Sequence, residues 1–91
     1  MLTRDARLKI PDQVVTRQVG DETVLLNLES GTYFGLDPVG SRFLELLQAE
    51  GALAAVIARM LEEFEVTEAQ LEVDLLRLAD EMLSSGLLEP A

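Results

Sequence analysis

The sequence lacks two residue types that often carry catalysis or bind metals. Among its 91 residues there is no cysteine and no histidine. Without cysteine the chain has no disulfide, thiolate zinc site, iron–sulfur ligand or thiol nucleophile. Without histidine it lacks the commonest general base and the commonest metal ligand. The serines therefore have no histidine to activate them, and no calcium-loop spacing is present. We expect no enzyme, no metal site and no cofactor.

Positive charge is also scarce. Seven Lys and Arg residues oppose seventeen Asp and Glu residues, which gives a net charge of −10. Such a field repels phosphate backbones and anionic lipids, so we expect neither nucleic acid nor a membrane as a partner. No apolar run approaches the roughly 18 residues of a membrane-spanning helix. Residues 1–11 are not followed by the apolar region of a signal peptide, so we expect a cytoplasmic protein.

The composition is typical of a packed domain, with 48% apolar residues. The spacing of these apolar residues changes once along the chain. Residues 13–36 read as strands, and residues from Pro38 onward read as helices. The strands are predicted at Gln13–Val19, Glu22–Leu28 and Thr32–Leu36. Gly20-Asp21 and Ser30-Gly31 supply the turns between them, because glycine tolerates the positive φ that hairpin turns need. These signals predict a three-stranded antiparallel meander.

Three helices should follow the sheet. The first is predicted over Val39–Glu50, with Asp37 as N-cap, Pro38 in the first position and Gly51 as its end. The second covers 52–64. The third covers 68–85, with a capping box from Thr67 to Gln70 and Gly86 as the left-handed residue after its end. The predicted class is α+β, of winged helix-turn-helix type. Residues 1–11 are predicted to be a flexible arm and residues 12–88 the domain.

The third predicted helix has an apolar arc wider than one packing face requires. Leu71, Leu75, Leu78 and Met82 form a core stripe. Val73, Leu76 and Leu83 lie outside this stripe. Either the helix is sandwiched between the sheet and the second helix, or part of the arc lines a groove for a partner. DNA is excluded as that partner, because Arg77 is the only basic residue of this helix.

The last predicted strand, Thr32–Leu36, should lie on an edge of the meander. An open edge beside an apolar helix suits addition of a peptide strand. The alternative is that the shortness of the strand and its glycines only protect the edge against aggregation. The pattern by itself leaves both interpretations open.

Residues 23–40, TVLLNLESGTYFGLDPVG, are followed by the run FLELL at 43–47 and by GLL at 86–88. Together these segments resemble the PqqD family of small winged-helix domains, also called recognition elements for ribosomally synthesised, post-translationally modified peptides. The resemblance covers roughly residues 10–88. It implies a non-catalytic domain that captures the leader part of a precursor peptide and delivers it to a leader peptidase or other maturation enzyme.

The resemblance also implies where the leader binds. It should add as an antiparallel strand to the last strand of the meander and lie against the third helix. The strand residues carried over are Ser30, Gly31, Thr32, Tyr33, Phe34 and Gly35. The groove wall would come from Val73, Leu76, Arg77, Asp80 and Leu83, with a basic leader residue near Asp80 or Glu81.

The pathway is favoured by the form of the motif. The run VLLNLxSGxYFGLD resembles the stand-alone domains of lasso-peptide biosynthesis most closely. The alternatives are a PqqD-type peptide chaperone for a radical-SAM enzyme and a winged-helix protein-interaction module of another kind.

Overall fold

The computed structural model describes residues 2–91, and Met1 lies outside the described part. Three of its strands pair in chain order to form one antiparallel sheet, and three helices follow. The predicted α+β class is confirmed, and the winged helix-turn-helix description is compatible with it. The elements are β1 (Leu8–Lys9), β2 (Val14–Val19), β3 (Glu22–Asn27), β4 (Tyr33–Leu36), α1 (Pro38–Glu50), α2 (Leu53–Glu63), α3 (Glu68–Ser84) and β5 (Glu89–Pro90).

The turns and helix ends form where the sequence predicts them. Gly20 and Gly31 have φ of 66° and 77°, in the left-handed region that the two hairpin turns require. The Asp37 carboxylate caps α1 by accepting from the Gly40 N–H at 2.8 Å. Thr67 Oγ1 caps α3 by accepting from the Gln70 N–H at 3.2 Å. The predicted capping box is only half formed, because the Gln70 side chain donates to Asp74 instead.

The core lies between the inner face of the sheet and the three helices. On β3 the inward residues are Leu25, which is fully buried, and Asn27. Val24 and Leu28, on the other side of the strand, are exposed. The helices contribute the rest of the core through the buried residues Phe43, Leu44, Leu46, Leu47, Leu53, Val56, Ile57, Met60, Leu71, Leu75, Ala79 and Met82.

A second, two-stranded ladder joins the ends of the chain. β1 pairs antiparallel with β5, so that Leu8 faces Pro90 and Lys9 faces Glu89. Leu8 is buried, as are Leu87 and Leu88 just before β5. The Leu8 N–H also donates to the Gly51 carbonyl at 3.0 Å. The segment predicted as a flexible arm therefore contains a paired strand, and its division from the domain at residue 12 stays a prediction.

Asn27 is a buried polar residue that connects the sheet to the end of α3. Its Oδ1 accepts from the Glu29 N–H at 2.9 Å and the Ser30 N–H at 3.1 Å, which shapes the turn before β4. Its Nδ2 donates to the Gly86 carbonyl at 2.9 Å. A single amide group thereby fixes the β3–β4 turn against the C-terminal end of α3.

Replacing Asn27 should destabilise the domain. Asn27→Ala removes three hydrogen bonds and leaves the partly buried Gly86 carbonyl without this donor. At about 1 kcal/mol for each net hydrogen bond, the free energy of unfolding should fall by about 2–3 kcal/mol. Asn27→Asp keeps the acceptor for the turn but buries a charge and places a carboxylate oxygen against the Gly86 carbonyl, so at neutral pH it should also destabilise the domain. Urea unfolding measures both, and equal stability of Asn27→Ala and the unaltered chain would contradict this role.

An ion pair links α1 to α2 on the surface. Arg42 Nη2 lies 2.6 Å from Glu63 Oε2, and the same guanidinium contacts Glu45. The hydrogen bonds from Arg42 lower the pKa of Glu63 below its ordinary value. The ion pair therefore stabilises the fold at pH values above the ordinary pKa of the Glu63 carboxyl. This stabilisation is lost as the pH falls through the lowered pKa. Because the pair is exposed, this effect is small.

Candidate functional site

β4 is an edge strand of the three-stranded sheet. It pairs with β3 on one side, so that Leu26 faces Tyr33 and Val24 faces Gly35. Within residues 2–91, no strand pairs with its other side. The sheet therefore ends in an unpaired row of backbone donors and acceptors at β4.

The ladder decides which groups of β4 point to the open edge. The Asn27 N–H donates to the Thr32 carbonyl at 2.8 Å, so Thr32 turns its backbone toward β3. Backbone direction alternates along an antiparallel strand, and Phe34 and Leu36 therefore also point their N–H and C=O groups at β3. The N–H and C=O groups of Tyr33 and Gly35 point outward. These two residues are the backbone contacts that an added strand would use.

A groove runs between β4 and α3. Its volume is about 490 Å³, and its floor and walls are mostly apolar. β4 and the start of α1 supply one wall, and α3 supplies the other. The lining residues are Phe34, Gly35, Leu36, Asp37, Val39, Gly40, Asp74, Leu75 and Leu78. A strand added to β4 would direct alternate side chains into this groove.

The charge of the groove is negative. Asp37 and Asp74 line it, and no Lys or Arg does. One oxygen of each carboxylate has a partner: Asp37 Oδ1 accepts from the Gly40 N–H, and Asp74 Oδ1 accepts from Gln70 Nε2 at 2.9 Å. Since neither partner is a cation, both carboxylates keep an uncompensated charge toward the groove. An apolar segment with a nearby basic residue fits this lining.

The predicted strand residues lie together at this edge. Tyr33, Phe34 and Gly35 are in β4, whereas Ser30 and Gly31 form the preceding turn and Thr32 enters the strand. Phe34 is partly buried against the core, but Tyr33 is exposed on the opposite side of the sheet. Whether a ligand contacts these six residues stays a prediction.

The predicted helix residues do not face the β4 groove. Val73, Leu76, Arg77 and Asp80 line a separate hollow of about 310 Å³, together with Leu2 from the N-terminal segment. Leu83 is partly buried and packs against the core. The helix face that meets the groove carries Asp74, Leu75 and Leu78 instead. The peptide-binding role of the predicted helix residues stays a prediction.

The N-terminal segment explains part of the wide apolar arc of α3. Arg4 Nη1 lies 2.7 Å from Glu68 Oε2 and 3.0 Å from Glu72 Oε1. These ion pairs hold the segment along α3, where Leu2 lines the hollow beside Val73 and Leu76. The outer apolar residues of the helix therefore have a contact within the chain itself.

No cluster of three or more acidic side chains among residues 2–91 is arranged to hold a metal ion. Across the same residues, no helix combines the length and apolar character that crossing a bilayer requires.

Comparison with known proteins decides the family. The family model of PqqD, coenzyme PQQ synthesis protein D, matches residues 22–88. The chain belongs to the PqqD family. The matched segment of this PqqD-family chain includes β3, β4, the three helices and therefore the whole groove. No curated protein sequence matches the chain significantly.

Two solved structures are similar to this PqqD-family chain. One is described as TbiB1 in complex with the TbiA(beta) leader peptide. It is 40% identical in sequence, and the alignment covers 89% of this chain and 94% of the TbiB1 chain, with a TM-score of 0.84. The other is described as lasso peptide synthetase B1 complexed with the leader peptide. It is 24% identical in sequence, and the alignment covers 93% of this chain and 100% of the chain in that structure, with a TM-score of 0.84. The second likeness supports the fold.

The α3 residues that line the groove differ from those predicted from the sequence. Leu75 and Leu78 belong to the stripe that the periodicity assigns to the core, and Leu75 is indeed buried. Leu78 is only partly buried and lines the groove. Most residues of this stripe therefore pack in the core, whereas Leu78 lines the groove. Leu78 lines the groove because β4 lies across from this part of the helix.

Proposed function

We propose that this chain binds the leader region of a ribosomally synthesised precursor peptide without catalysing a reaction itself. The leader adds to β4 as an antiparallel strand and places alternate side chains in the groove toward α3. The observation that carries this proposal is the open β4 edge beside an apolar groove. The likeness to TbiB1, whose structure is a complex with a leader peptide, supports it at 40% identity.

Affinity and selectivity come from different parts of this site. The Tyr33 and Gly35 backbone groups provide hydrogen bonds that carry little sequence information. Selectivity comes from the leader side chains that point inward, because they must fill the space beside Phe34, Leu75 and Leu78. One or two apolar side chains at alternate leader positions fit this groove.

The leader is delivered to a maturation enzyme, and we favour a leader peptidase in a lasso-peptide pathway. When one domain holds the leader and also contacts the peptidase, cleavage becomes nearly intramolecular. The gain comes from effective concentration and requires no catalytic residue in this chain. The absence of cysteine and histidine from the sequence agrees with such a role.

Titration with a leader peptide tests the proposal. A fluorescently labelled leader, taken from a short open reading frame beside the gene, is titrated with the purified chain. We expect saturable binding that an unlabelled copy of the same leader displaces and that a scrambled leader does not. No binding to any neighbouring leader, with the chain shown to be folded by circular dichroism, would contradict the proposed function.

Leader binding should depend on salt through the acidic groove. Asp74→Asn removes one of the two groove carboxylates without changing the shape of the side chain. The affinity for a leader with a basic residue near the strand should fall by about two- to fivefold at low salt. This difference should shrink above about 0.5 M salt, because exposed charges are then screened. Fluorescence titration at several salt concentrations measures the effect, with Asp21→Asn, in the β2–β3 turn, as the matched control.

A further inference from the structure

The sheet has a second apolar surface, on the side that faces away from the helices. We call it the outer face and define it by the side chains of Val15, Arg17, Val19, Glu22, Val24, Leu26 and Tyr33, together with Gly35. Strand pairing places Val15, Leu26 and Tyr33 in one row across the three strands. Val15, Val19, Val24 and Tyr33 are all exposed, and Tyr33 is exposed to 74%.

This row of apolar side chains is unusual for the surface of a chain with a net charge of −10. The strands contribute only Arg17 and Glu22 as charged residues of the outer face, and these two charges cancel. A protein partner could therefore cover the face without desolvating a cluster of carboxylates. Exposed aromatic and aliphatic patches with few charges are typical of the centres of protein interfaces.

The absence of a side chain at Gly35 leaves a hollow beside the outer face. Gly35 stands opposite Val24, where a side chain would point outward, and a Cβ at this position would meet no atom within 4 Å. A hollow of about 330 Å³ lies at this end of the sheet, lined by Val19, Glu22, Thr23, Val24, Gly35, Leu36 and Asp37, of which the last three also line the groove. The face therefore offers an indentation for one protruding apolar side chain, beside the exposed ring of Tyr33.

We infer that the outer face, centred on the exposed side chains of Val24 and Tyr33, is the docking surface for the peptidase that acts on the bound leader. This inference rests on the proposed function. β4 is shared by both surfaces, so a partner seated on the outer face lies directly beside the leader strand. The groove opens on the opposite side of β4, where Phe34 and Leu36 point inward. The exposed side chains of Val15, Val24 and Tyr33 stay accessible when the leader fills the groove, so leader and peptidase can bind at the same time, which delivery requires.

Two substitutions charge the outer face on β2 and β3, the strands that the leader does not pair with. Val19→Lys introduces a charge on β2, at a position that is 59% exposed and lines the hollow. Val24→Lys introduces a charge at a position that is already 36% exposed. Val66→Lys is the matched control, because Val66 is an exposed valine in the loop between α2 and α3.

The test measures two affinities for each variant. Binding of the leader peptidase from the same gene cluster is measured by biolayer interferometry, and binding of the labelled leader by fluorescence anisotropy. We expect Val19→Lys and Val24→Lys to weaken peptidase binding by at least about tenfold, since both place a charge on the apolar outer face. Leader affinity should stay within about twofold, and Val66→Lys should change neither.

Two results would overturn the inference. One is unchanged peptidase affinity in both outer-face variants while leader binding remains normal. The other is a dimer of the unaltered chain in sedimentation that Val24→Lys dissociates, because the face would then belong to a second copy. Failure of the proposed function is distinguishable, since it appears as absent leader binding by the unaltered chain.

Discussion

Gly35→Pro is expected to weaken leader binding by at least about tenfold while the domain stays folded. Gly35 directs its N–H to the open edge of β4, and proline removes that donor. The β3–β4 ladder does not use this N–H, and proline is tolerated on edge strands whose N–H faces solvent. Loss of one strand hydrogen bond, with the proline ring set against the incoming strand, accounts for about 1.4 kcal/mol or more of binding free energy.

Gly35→Ala is the matched control for this substitution. Alanine keeps the N–H and adds a single methyl group to open space on the outer face. Its leader affinity should stay within about twofold of the unaltered chain. Fluorescence anisotropy gives the affinities, and urea unfolding shows that both variants remain folded. Equal leader affinity of Gly35→Pro and Gly35→Ala would mean that the leader does not pair with this edge.

Leu78→Ala is expected to weaken leader binding by about ten- to thirtyfold. Leu78 is partly buried and lines the groove beside β4, so its side chain would contact the inward residues of an added strand. Removal of a central apolar contact commonly costs about 2 kcal/mol of binding free energy. The leader dissociation constant should therefore rise while the structure of the free domain changes little.

Leu76→Ala is the matched comparison on the same helix. Leu76 is also a partly buried leucine of α3, but it lines the hollow with Leu2 on another side of the helix. Both variants should lose similar stability, whereas only Leu78→Ala should lose leader affinity. The opposite result, a loss confined to Leu76→Ala, would place the leader on the face predicted from the resemblance and would contradict the groove proposed from the structure.

The predictable part of this fold is its local chemistry. Gly20, Gly31, Asp37 and Thr67 act at turns and caps through residues next to them in the chain. Their roles follow from short-range rules and are confirmed by the positive φ values and the capping hydrogen bonds. The edge position of β4 is also accessible from sequence, because the strands of a meander pair in chain order.

The unpredicted parts depend on contacts between distant residues. The β1–β5 ladder joins Leu8 to Pro90 through strands of only two residues, which are too short to show a period. Asn27 looks like a surface residue of a strand, but its Nδ2 donates to Gly86, 59 residues away. The orientation of α3 relative to β4 likewise determines that Leu78, and not Leu76, lines the groove. Periodicity finds an apolar arc but does not say what packs on each side of it.

The most direct test of strand addition is amide hydrogen exchange of β4, measured by NMR with and without the leader. In the free chain, Phe34 and Leu36 point their N–H groups at β3, whereas the N–H groups of Tyr33 and Gly35 face the open edge. We predict that the leader slows exchange at Tyr33 and Gly35 by at least about tenfold and changes Phe34 and Leu36 much less. Saturable leader binding that leaves Tyr33 and Gly35 exchanging as fast as before would contradict strand addition to β4.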